Sequence, residues 1–191
     1  MNIVACKTKT EEASAIREAS RILTGGGVII YPTDTLYGLG CILEEKPVKR
    51  VYEIKDRSRE LPLSIAFADI SMAEDYTRLS PEDIEYIREF YRKQYTFIVA
   101  NQSVPSYAIS GKDTVGARIP DNEVCRQMIR EVGGPITTTS VNYSGEMSAT
   151  CIEDVNREIL DAVDLVVDAG ACGTGKASTI VDLTQGGKIL R

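Results

Sequence analysis

A length of 191 residues, 43% of them hydrophobic and 26% charged, is typical of one globular domain with its own core. The chain contains no histidine, which excludes Ser-His-Asp and Cys-His catalysis, HExxH zinc sites and histidine general bases. Its net charge of −6 makes attraction of the whole surface to nucleic acid unfavourable, because phosphate contacts need clustered Lys and Arg. Binding of nucleic acid at a local basic patch is still compatible with this charge.

The cysteines and the hydrophobic runs indicate a cytoplasmic protein that is not in the membrane. No two cysteines form a CxxC pair, and an odd number of widely spaced thiols suggests neither a zinc ribbon nor a disulfide framework. Residues 1–9 lack the apolar segment of a signal peptide, and no hydrophobic run approaches the ~18 residues of a membrane span. We expect free, buried thiols and no protein-bound metal; the cysteines are Cys6, Cys41, Cys125, Cys151 and Cys172.

Capping signals predict two helices in the first half of the chain. A capping box at 8–11 starts a helix that ends at the glycines 25–27. Ser80-Pro81 starts another, because serine is a good N-cap and proline suits the first helical turn. The other predicted elements of this half are a strand at 28–31, a helix at 46–56 and a strand at 63–67.

The second half continues to interleave strands with helices, which favours an α/β fold in a single domain spanning 1–191. The alternation is irregular, so we expect a mixed rather than an all-parallel sheet. Asp121 is predicted to cap a helix that carries Met128 and Ile129. The remaining predictions are a short helix near 151–157 and strands at 96–100, 114–119, 136–139, 165–168, 179–182 and 188–190.

Residues 32–40, PTDTLYGLG, follow a predicted strand directly and combine Thr33, Asp34 and Thr35 with two glycines. Such a loop can bind a polar ligand through hydroxyl, carboxylate and backbone groups. The same residue types also form plain turns. Because a turn does not need so many hydroxyl groups, we favour a binding role.

A cluster of positive charge follows at 49–59, where Glu53 and Asp56 leave a surplus of three positive charges. Lys55 and Arg57 lie just before a predicted strand, where a loop could present both to a phosphate. The alternative is a solvated helix end, since cations are favourable near a helix C-terminus. The cations are Lys49, Arg50, Lys55, Arg57 and Arg59.

Arg118 stands in the otherwise apolar predicted strand TVGARIP at 114–120. Burying a guanidinium is costly unless it meets an anion. That anion is either a ligand or one of the chain's 28 acidic residues, in a structural ion pair.

Residues 137–145 carry a strand end into a polar loop, TTTSVNYSG. Ser140 and Asn142 offer hydroxyl and amide groups next to backbone N–H donors, which favours ligand binding. The threonines at 137–139 need no such role, because threonine suits strands for steric reasons.

A glycine-rich loop at 168–178 resembles a phosphate-binding P-loop in part: Gly170, Gly175 and Lys176 fit GxxxxGK. Ala177 stands where that motif has a Ser or Thr on magnesium, and the remaining 15 residues are too few for the rest of a P-loop fold. We therefore reject that fold, while a glycine-rich loop that approaches a phosphate and runs into Ser178 stays open.

Together, these segments resemble the YrdC family of threonylcarbamoyl-AMP synthases. The resemblance spans about residues 8–185 and rests on five motifs in the family's order. Any single motif would be weak, but the ordered set is specific. The motifs are PTDTLYGLG at 32–40, Lys55-x-Arg57 before Pro62-Leu63, TVGARIP at 114–120, SVNYSG at 140–145 and STIVD at 178–182.

The resemblance implies an α/β fold with a twisted, open, mixed sheet and flanking helices around a large cavity. It implies synthesis of threonylcarbamoyl-AMP from L-threonine, bicarbonate and ATP with release of pyrophosphate, a nucleotidyltransferase step in tRNA modification. A partner from the tRNA threonylcarbamoyl-transfer machinery would use the product. Because the carbamate oxygen itself attacks the α-phosphate, no histidine or protein nucleophile is required.

The resemblance also assigns site residues. Thr33, Arg118 and Ser140 are expected to hold threonine, with Arg118 on its carboxylate, and Lys55 and Arg57 to act on the phosphates as the catalytic cations. Magnesium is expected to accompany ATP without dedicated protein ligands. The expected nucleotide contacts are Lys55, Arg57, Thr114, Asn142, Thr150 and Ser178.

The sequence departs from the family pattern at three places. Ala66 stands where many relatives have a histidine, which bears on how strictly threonine is preferred. Residues 92–95 replace a Pro-Gly-Pro segment, and Ser140-Val141-Asn142 replaces Ser-Ala-Asn. None of these changes removes a group that the chemistry requires.

Two other functions stay open. The chain could be an RNA-binding module that uses the basic residues without catalysis, or the synthase could bind RNA weakly. Its charge of −6 and the lack of a basic stripe with interleaved aromatics disfavour the first of these. YrdC-like domains also occur inside larger carbamoyltransferases that act on other proteins, but no zinc-finger or acylphosphatase segment is present to support that reading.

Overall fold

The computed structural model describes residues 2–191, which form one mixed β-sheet flanked by helices. The strands are β1 (Ile3–Ala5), β2 (Ile29–Tyr31), β3 (Gly38–Gly40), β4 (Ser64–Ala66), β5 (Thr77–Arg78), β6 (Tyr95–Asn101), β7 (Thr114–Arg118), β8 (Ile136–Ser140), β9 (Leu165–Asp168), β10 (Thr179–Asp182) and β11 (Lys188–Ile189). The helices are α1 (Lys9–Thr24), α2 (Glu45–Ile54), α3 (Ile70–Tyr76), α4 (Pro81–Phe90), α5 (Glu123–Val132) and α6 (Arg157–Ala162).

The strand order is β1-β9-β2-β3-β8-β4-β7-β6-β10-β11, with β5 paired to β6. Parallel pairs such as β1 with β9 and β4 with β7 occur in the same sheet as antiparallel pairs such as β3 with β8. The sheet is open and mixed, which confirms the predicted α/β class.

The two faces of the sheet bury separate hydrophobic cores. Along β2, Ile29 and Tyr31 belong to the core shared with α1 and α5, whereas Ile30 belongs to the core on the other side. This alternation follows from the two-residue period of a strand. Helices α1 and α5 cover only part of their face, and the polar residues described below occupy the part beside them.

Local capping chemistry places the helix starts. Thr8 forms the predicted capping box and Ser80 the predicted N-cap, with Asp83 completing a second capping box, and Gly25 ends α1. The prediction that Asp121 caps α5 is wrong: Asn122 accepts from the backbone N–H of Cys125 instead. The short helix predicted near 151–157 is confirmed only in part, because Ile152–Asp154 forms a single 3-10 turn and the α-helix α6 begins at Arg157.

Four elements have no counterpart among the sequence predictions: β1, β3, α3 and β5. The strands β1, β3 and β5 have only two or three residues each, and β3 is Gly-Leu-Gly. These three strands are therefore too short to show a hydrophobic period. None of the helices within residues 2–191 combines the length and hydrophobicity that crossing a bilayer requires.

Candidate active site

A small polar cavity of about 110 Å³ opens on the sheet face beside α1 and α5. It is smaller than the ~300–1,000 Å³ of typical small-molecule sites and than the large cavity that the resemblance implies. Its walls carry hydroxyl groups and two arginines. The lining residues are Thr33, Thr35, Leu36, Tyr37, Gly38, Ser64, Thr96, Arg118, Thr138, Thr139, Ser140, Ala177, Ser178 and Arg191.

Strand register brings the cavity's polar residues together from distant parts of the chain. Ser64 on β4 pairs with Thr138 on β8 and, across its other edge, with Gly116 on β7. Side chains on paired residues point to the same face of a sheet. Gly116 leaves room there, since a Cβ at this position would lie 2.9 Å from the Ser64 hydroxyl oxygen.

Arg118 reaches the cavity from the end of β7, and its guanidinium is anchored by the 32–40 loop. Nη2 donates to Asp34 Oδ1 at 2.7 Å and to Thr35 Oγ1 at 2.7 Å. Both charged side chains are only 8% exposed. The structural ion pair that the sequence left open is therefore present. Within residues 2–191, Nη1 and Nε of Arg118 donate to no protein group, which leaves them available to an anion.

The Asp34 carboxylate is not fully used by Arg118. Its Oδ2 is buried and has no hydrogen-bond partner within the described chain. Thr33 folds the same loop around its own hydroxyl, which accepts from the backbone N–H groups of Thr35 and Leu36 and donates to the Leu36 carbonyl at 2.6 Å. The Thr33 side chain therefore shapes the loop that holds Asp34 against Arg118.

Lys55 lies beneath the 140–142 segment rather than on the cavity wall. Its ammonium donates to the carbonyls of Ser140 and Asn142 and to Asn142 Oδ1, the last at 3.2 Å. An ammonium has three donors, so these acceptors use all of them. Burial, aided by the Arg57 guanidinium, lowers the pKa of Lys55 to about 8. No carboxylate within residues 2–191 forms an ion pair with it.

The basic cluster at 49–59 separates in the structure. Lys49 pairs with Glu53 and Arg50 with Asp164, as a solvated helix surface would. Half-buried Arg57 instead donates to the carbonyls of Leu61 and Pro62, and burial lowers its pKa. Lys55 and Arg57 thus form a partly buried pair of cations without a carboxylate in the described chain.

The glycine-rich loop packs directly on the 32–40 loop. Gly173 has φ +67°, and a Cβ there would lie 2.0 Å from the Thr35 carbonyl oxygen. The Gly175 N–H donates to that carbonyl at 3.1 Å, and the Cys172 N–H donates to the Thr150 carbonyl at 2.8 Å. The chain then enters β10 rather than a helix, so the loop is not a P-loop.

The predicted site residues fall into two groups. Thr33, Arg118, Ser140 and Ser178 line the cavity. Lys55 and Asn142 lie behind Ser140, whose hydroxyl donates to Asn142 Oδ1. The others lie off the cavity wall in this structure: Arg57 on Leu61 and Pro62, Thr114 half-buried at the start of β7, and Thr150 against the glycine-rich loop.

Sequence reasoning missed several cavity residues. Thr138 could have been found from strand period, because it lies two residues before Ser140 on β8. Thr96 meets the predicted Ser178 at 2.8 Å between hydroxyl oxygens. Arg191, which donates to the Ser178 carbonyl, carried no motif that could have revealed it.

The five cysteine thiols are free and mostly buried. Four cysteines are buried and Cys151 is half-buried, so the expectation of buried thiols holds for all but one. Burial raises the pKa of Cys172 to about 11 and that of Cys125 to about 12, which keeps both protonated near neutral pH. Within residues 2–191, no group of three or more Cys, Asp or Glu side chains is arranged to hold a metal ion.

Known proteins share both the sequence pattern and the fold. The protein-family profile Sua5_yciO_yrdC, described as "Telomere recombination", matches residues 21–191. The chain belongs to this family. A Pyrococcus abyssi relative named threonylcarbamoyl-AMP synthase is 31% identical over 193 residues, which cover 100% of this chain but 57% of that protein.

Two solved structures match most of the chain. Pyrococcus abyssi Sua5, in a complex with L-threonine, is 32% identical with a TM-score of 0.89, covering 96% of this chain and 55% of that one. Escherichia coli YciO is 25% identical with a TM-score of 0.87, covering 100% of this chain and 93% of that one. The chain thus spans about half the length of Sua5 and nearly all of YciO.

Proposed function

We propose that the chain synthesises threonylcarbamoyl-AMP and pyrophosphate from L-threonine, bicarbonate and ATP, a step in tRNA modification. The observation that carries the proposal is a hydroxyl-lined cavity whose buried Arg118 keeps guanidinium donors free. The name of the Pyrococcus abyssi synthase and the threonine bound to Pyrococcus abyssi Sua5 support the same reaction.

The cavity is the proposed amino-acid site. Arg118 binds the threonine carboxylate through the nitrogens that Asp34 and Thr35 leave free, because carboxylates are favourable partners of a buried guanidinium. Thr33 shapes the loop that carries Asp34, and Ser140 places a hydroxyl group on the cavity wall. The volume of about 110 Å³ suits a ligand of amino-acid size better than a nucleotide.

The nucleotide is proposed to bind beside the 140–142 segment, where Lys55 and Arg57 carry positive charge without a carboxylate partner. Buried charge of one sign favours a ligand of the other sign. Arg57 would leave the carbonyls of Leu61 and Pro62 to meet phosphate, while Lys55 fixes the loop that presents Asn142. The other proposed nucleotide contacts are Thr114, Thr150 and Ser178.

The chemistry requires positioning and charge stabilisation rather than a protein nucleophile. The threonine amine adds to carbon dioxide derived from bicarbonate, and the resulting carbamate oxygen attacks the α-phosphate of ATP. The bond to the β-phosphate breaks and pyrophosphate leaves, so the enzyme is a nucleotidyltransferase. Mg²⁺ enters with ATP as part of the substrate. The proposal includes a cytoplasmic location and transfer of the product to tRNA by a partner.

The test is a reaction of purified protein with Mg-ATP, bicarbonate and L-threonine, in which pyrophosphate and nucleotide products are followed by chromatography and mass. We expect pyrophosphate only when all components are present. Arg57→Ala should lower the rate at least ~100-fold, the order expected when a charged transition-state contact is removed. Arg118→Ala should lower kcat/KM for threonine by a similar factor, because it removes the partner of the threonine carboxylate. Arg50→Ala, at a partly exposed ion pair, is the matched control and should retain the wild-type rate.

Turnover without threonine dependence, or wild-type rates in Arg118→Ala, would refute this assignment of the cavity. If folded protein gives no product, an RNA titration at several salt concentrations tests the binding-module alternative. Steep salt dependence that Arg57→Ala reduces would favour RNA binding at the same cations.

A further inference from the structure

Gln94 contacts both the 32–40 loop and the glycine-rich loop at 168–178. It lies between the 3-10 turn Tyr91–Lys93 and β6, with φ 64° and ψ 47°. This left-handed conformation costs a residue with a Cβ about 1 kcal/mol or more. Such an outlier calls for a reason in its surroundings, and the contacts of the side chain supply one.

The Gln94 amide uses both of its ends. Nε2 donates to the Asp34 carbonyl oxygen at 2.7 Å, and Oε1 accepts from the Thr174 hydroxyl at 3.0 Å. The Gln94 backbone carbonyl also accepts from the Thr179 N–H at 3.0 Å. One half-buried side chain therefore connects the loop that anchors Arg118 with the glycine-rich loop that packs on it.

We propose that Gln94 is a positioning residue that fixes the glycine-rich loop against Asp34 and thereby sets the affinity of the cavity for the amino acid. This rests on the proposed function. Asp34 holds Arg118 through its carboxylate, while its carbonyl is held by Gln94. Loss of the amide frees the loop backbone at the residue that orients the guanidinium. It also removes the Thr174 contact of the glycine-rich loop, which leaves the Gly175 hydrogen bond to the Thr35 carbonyl less supported.

Gln94→Gly is the informative variant, because it removes the amide and relieves the left-handed backbone at once. Ser110→Gly is its matched control. Ser110 also has positive φ, 57°, but its hydroxyl oxygen is buried without a partner in the described chain, and it does not line the cavity. Both variants should be at least as stable as the wild type if backbone strain is the only role.

Two measurements test the proposal: threonine affinity by calorimetry, and hydrogen exchange of the Cys172 and Gly175 amides. In Gln94→Gly we expect about tenfold weaker threonine binding and about tenfold faster exchange of both amides, as loss of one or two ordinary hydrogen bonds would give. Ser110→Gly should change neither quantity. Thr174→Val should reproduce part of both effects and add little to Gln94→Gly, because the two side chains form one connection.

Unchanged amide exchange in Gln94→Gly would overturn the proposal, whatever the protein binds. Faster exchange with unchanged threonine affinity would overturn the positioning role. If the wild type binds no threonine at all, the proposed function fails, whereas exchange that rises in Gln94→Gly but not in Ser110→Gly still supports the connection between the loops.

Discussion

Lys55 and Arg118 are both buried cations, but their surroundings differ. Arg118 meets the Asp34 carboxylate at 2.7 Å and keeps two guanidinium nitrogens free. Lys55 is held by neutral oxygens that use all its donors, and the Arg57 guanidinium adds to the lowering of its pKa. The charge of Arg118 is therefore neutralised by Asp34 while some of its N–H groups remain available. The charges of Lys55 and Arg57 are not neutralised by a carboxylate in the described chain, and Lys55 orders the backbone of residues 140–142.

Under the proposed function, this difference gives the amino-acid site and the nucleotide site different electrostatics. A guanidinium that is already paired can bind a small carboxylate with orientation, because its free N–H groups are fixed in direction. An uncompensated buried charge provides attraction instead, which suits a phosphate of higher charge. Variants at each cation, and at the glycine-rich loop that packs on Thr35, test this difference.

The largest expected effect is at Arg118. Arg118→Met leaves the Asp34 carboxylate buried without a partner, so the free energy of unfolding should fall by about 3–5 kcal/mol. Adding Asp34→Asn should recover much of this loss, because a neutral amide costs less to bury, while threonine binding stays lost. Urea unfolding measures both effects. Arg50→Met, at the partly exposed pair with Asp164, should cost only about 1 kcal/mol.

A loss in Arg118→Met no larger than in Arg50→Met would show that the Asp34 pair contributes little to the fold. The contrast between the two cations would then rest on ligand binding alone.

The next effect concerns the loop that closes over Asp34 and Thr35. Gly173 and Gly111 have nearly equal φ, +67° and +68°, but only Gly173 would place a Cβ against backbone atoms. Gly111→Ala should cost about 1 kcal/mol through strain alone. Gly173→Ala should cost about 3 kcal/mol, because overpacking adds to the strain, and it should weaken threonine binding. Equal losses in thermal unfolding would mean that the loop moves away without penalty.

The smallest effect is the pH dependence that Lys55 contributes. Its pKa is about 8 in the folded protein and 10.5 without the fold, so between these values the unfolded chain binds more protons. The free energy of unfolding should therefore rise with pH in this window. Relative to Lys55→Met, the wild type should gain about 1–2 kcal/mol between about pH 7.5 and pH 9.5.

Urea unfolding of the two proteins at both pH values measures this gain, and other titrating groups cancel in the difference. Parallel pH profiles would show that folding does not lower the pKa of Lys55.

The sequence predicts what local chemistry or strand period determines. The capping box at Thr8, the N-cap at Ser80 and the strand that carries Arg118 follow from neighbouring residues. Strand β3 does not, because Gly38 and Gly40 are poor strand formers that pair only through β2 and β8. The predicted N-cap of α5 is misplaced by one residue, because Asp121 and Asn122 are adjacent and both are good N-cap residues.

The site divides in the same way. The motifs identify Arg118, Ser140 and Lys55 as candidate ligand-binding residues. They cannot show that Asp34 pairs with Arg118, or that the carbonyls of 140–142 surround Lys55, since those contacts depend on how strands distant in sequence align. Gln94 carries no motif, and its role appears only from the three segments that it contacts.

Strand order has a consequence for synthesis of the protein. Strand β9 lies between β1 and β2, although residues 165–168 follow both by more than a hundred positions. On the ribosome, β1 and β2 therefore emerge without the strand that separates them in the native sheet. A nascent chain with unpaired strand edges is prone to wrong pairing. We expect the amino-terminal part of this sheet to form after most of the chain has been translated, which makes it a natural client for chaperones.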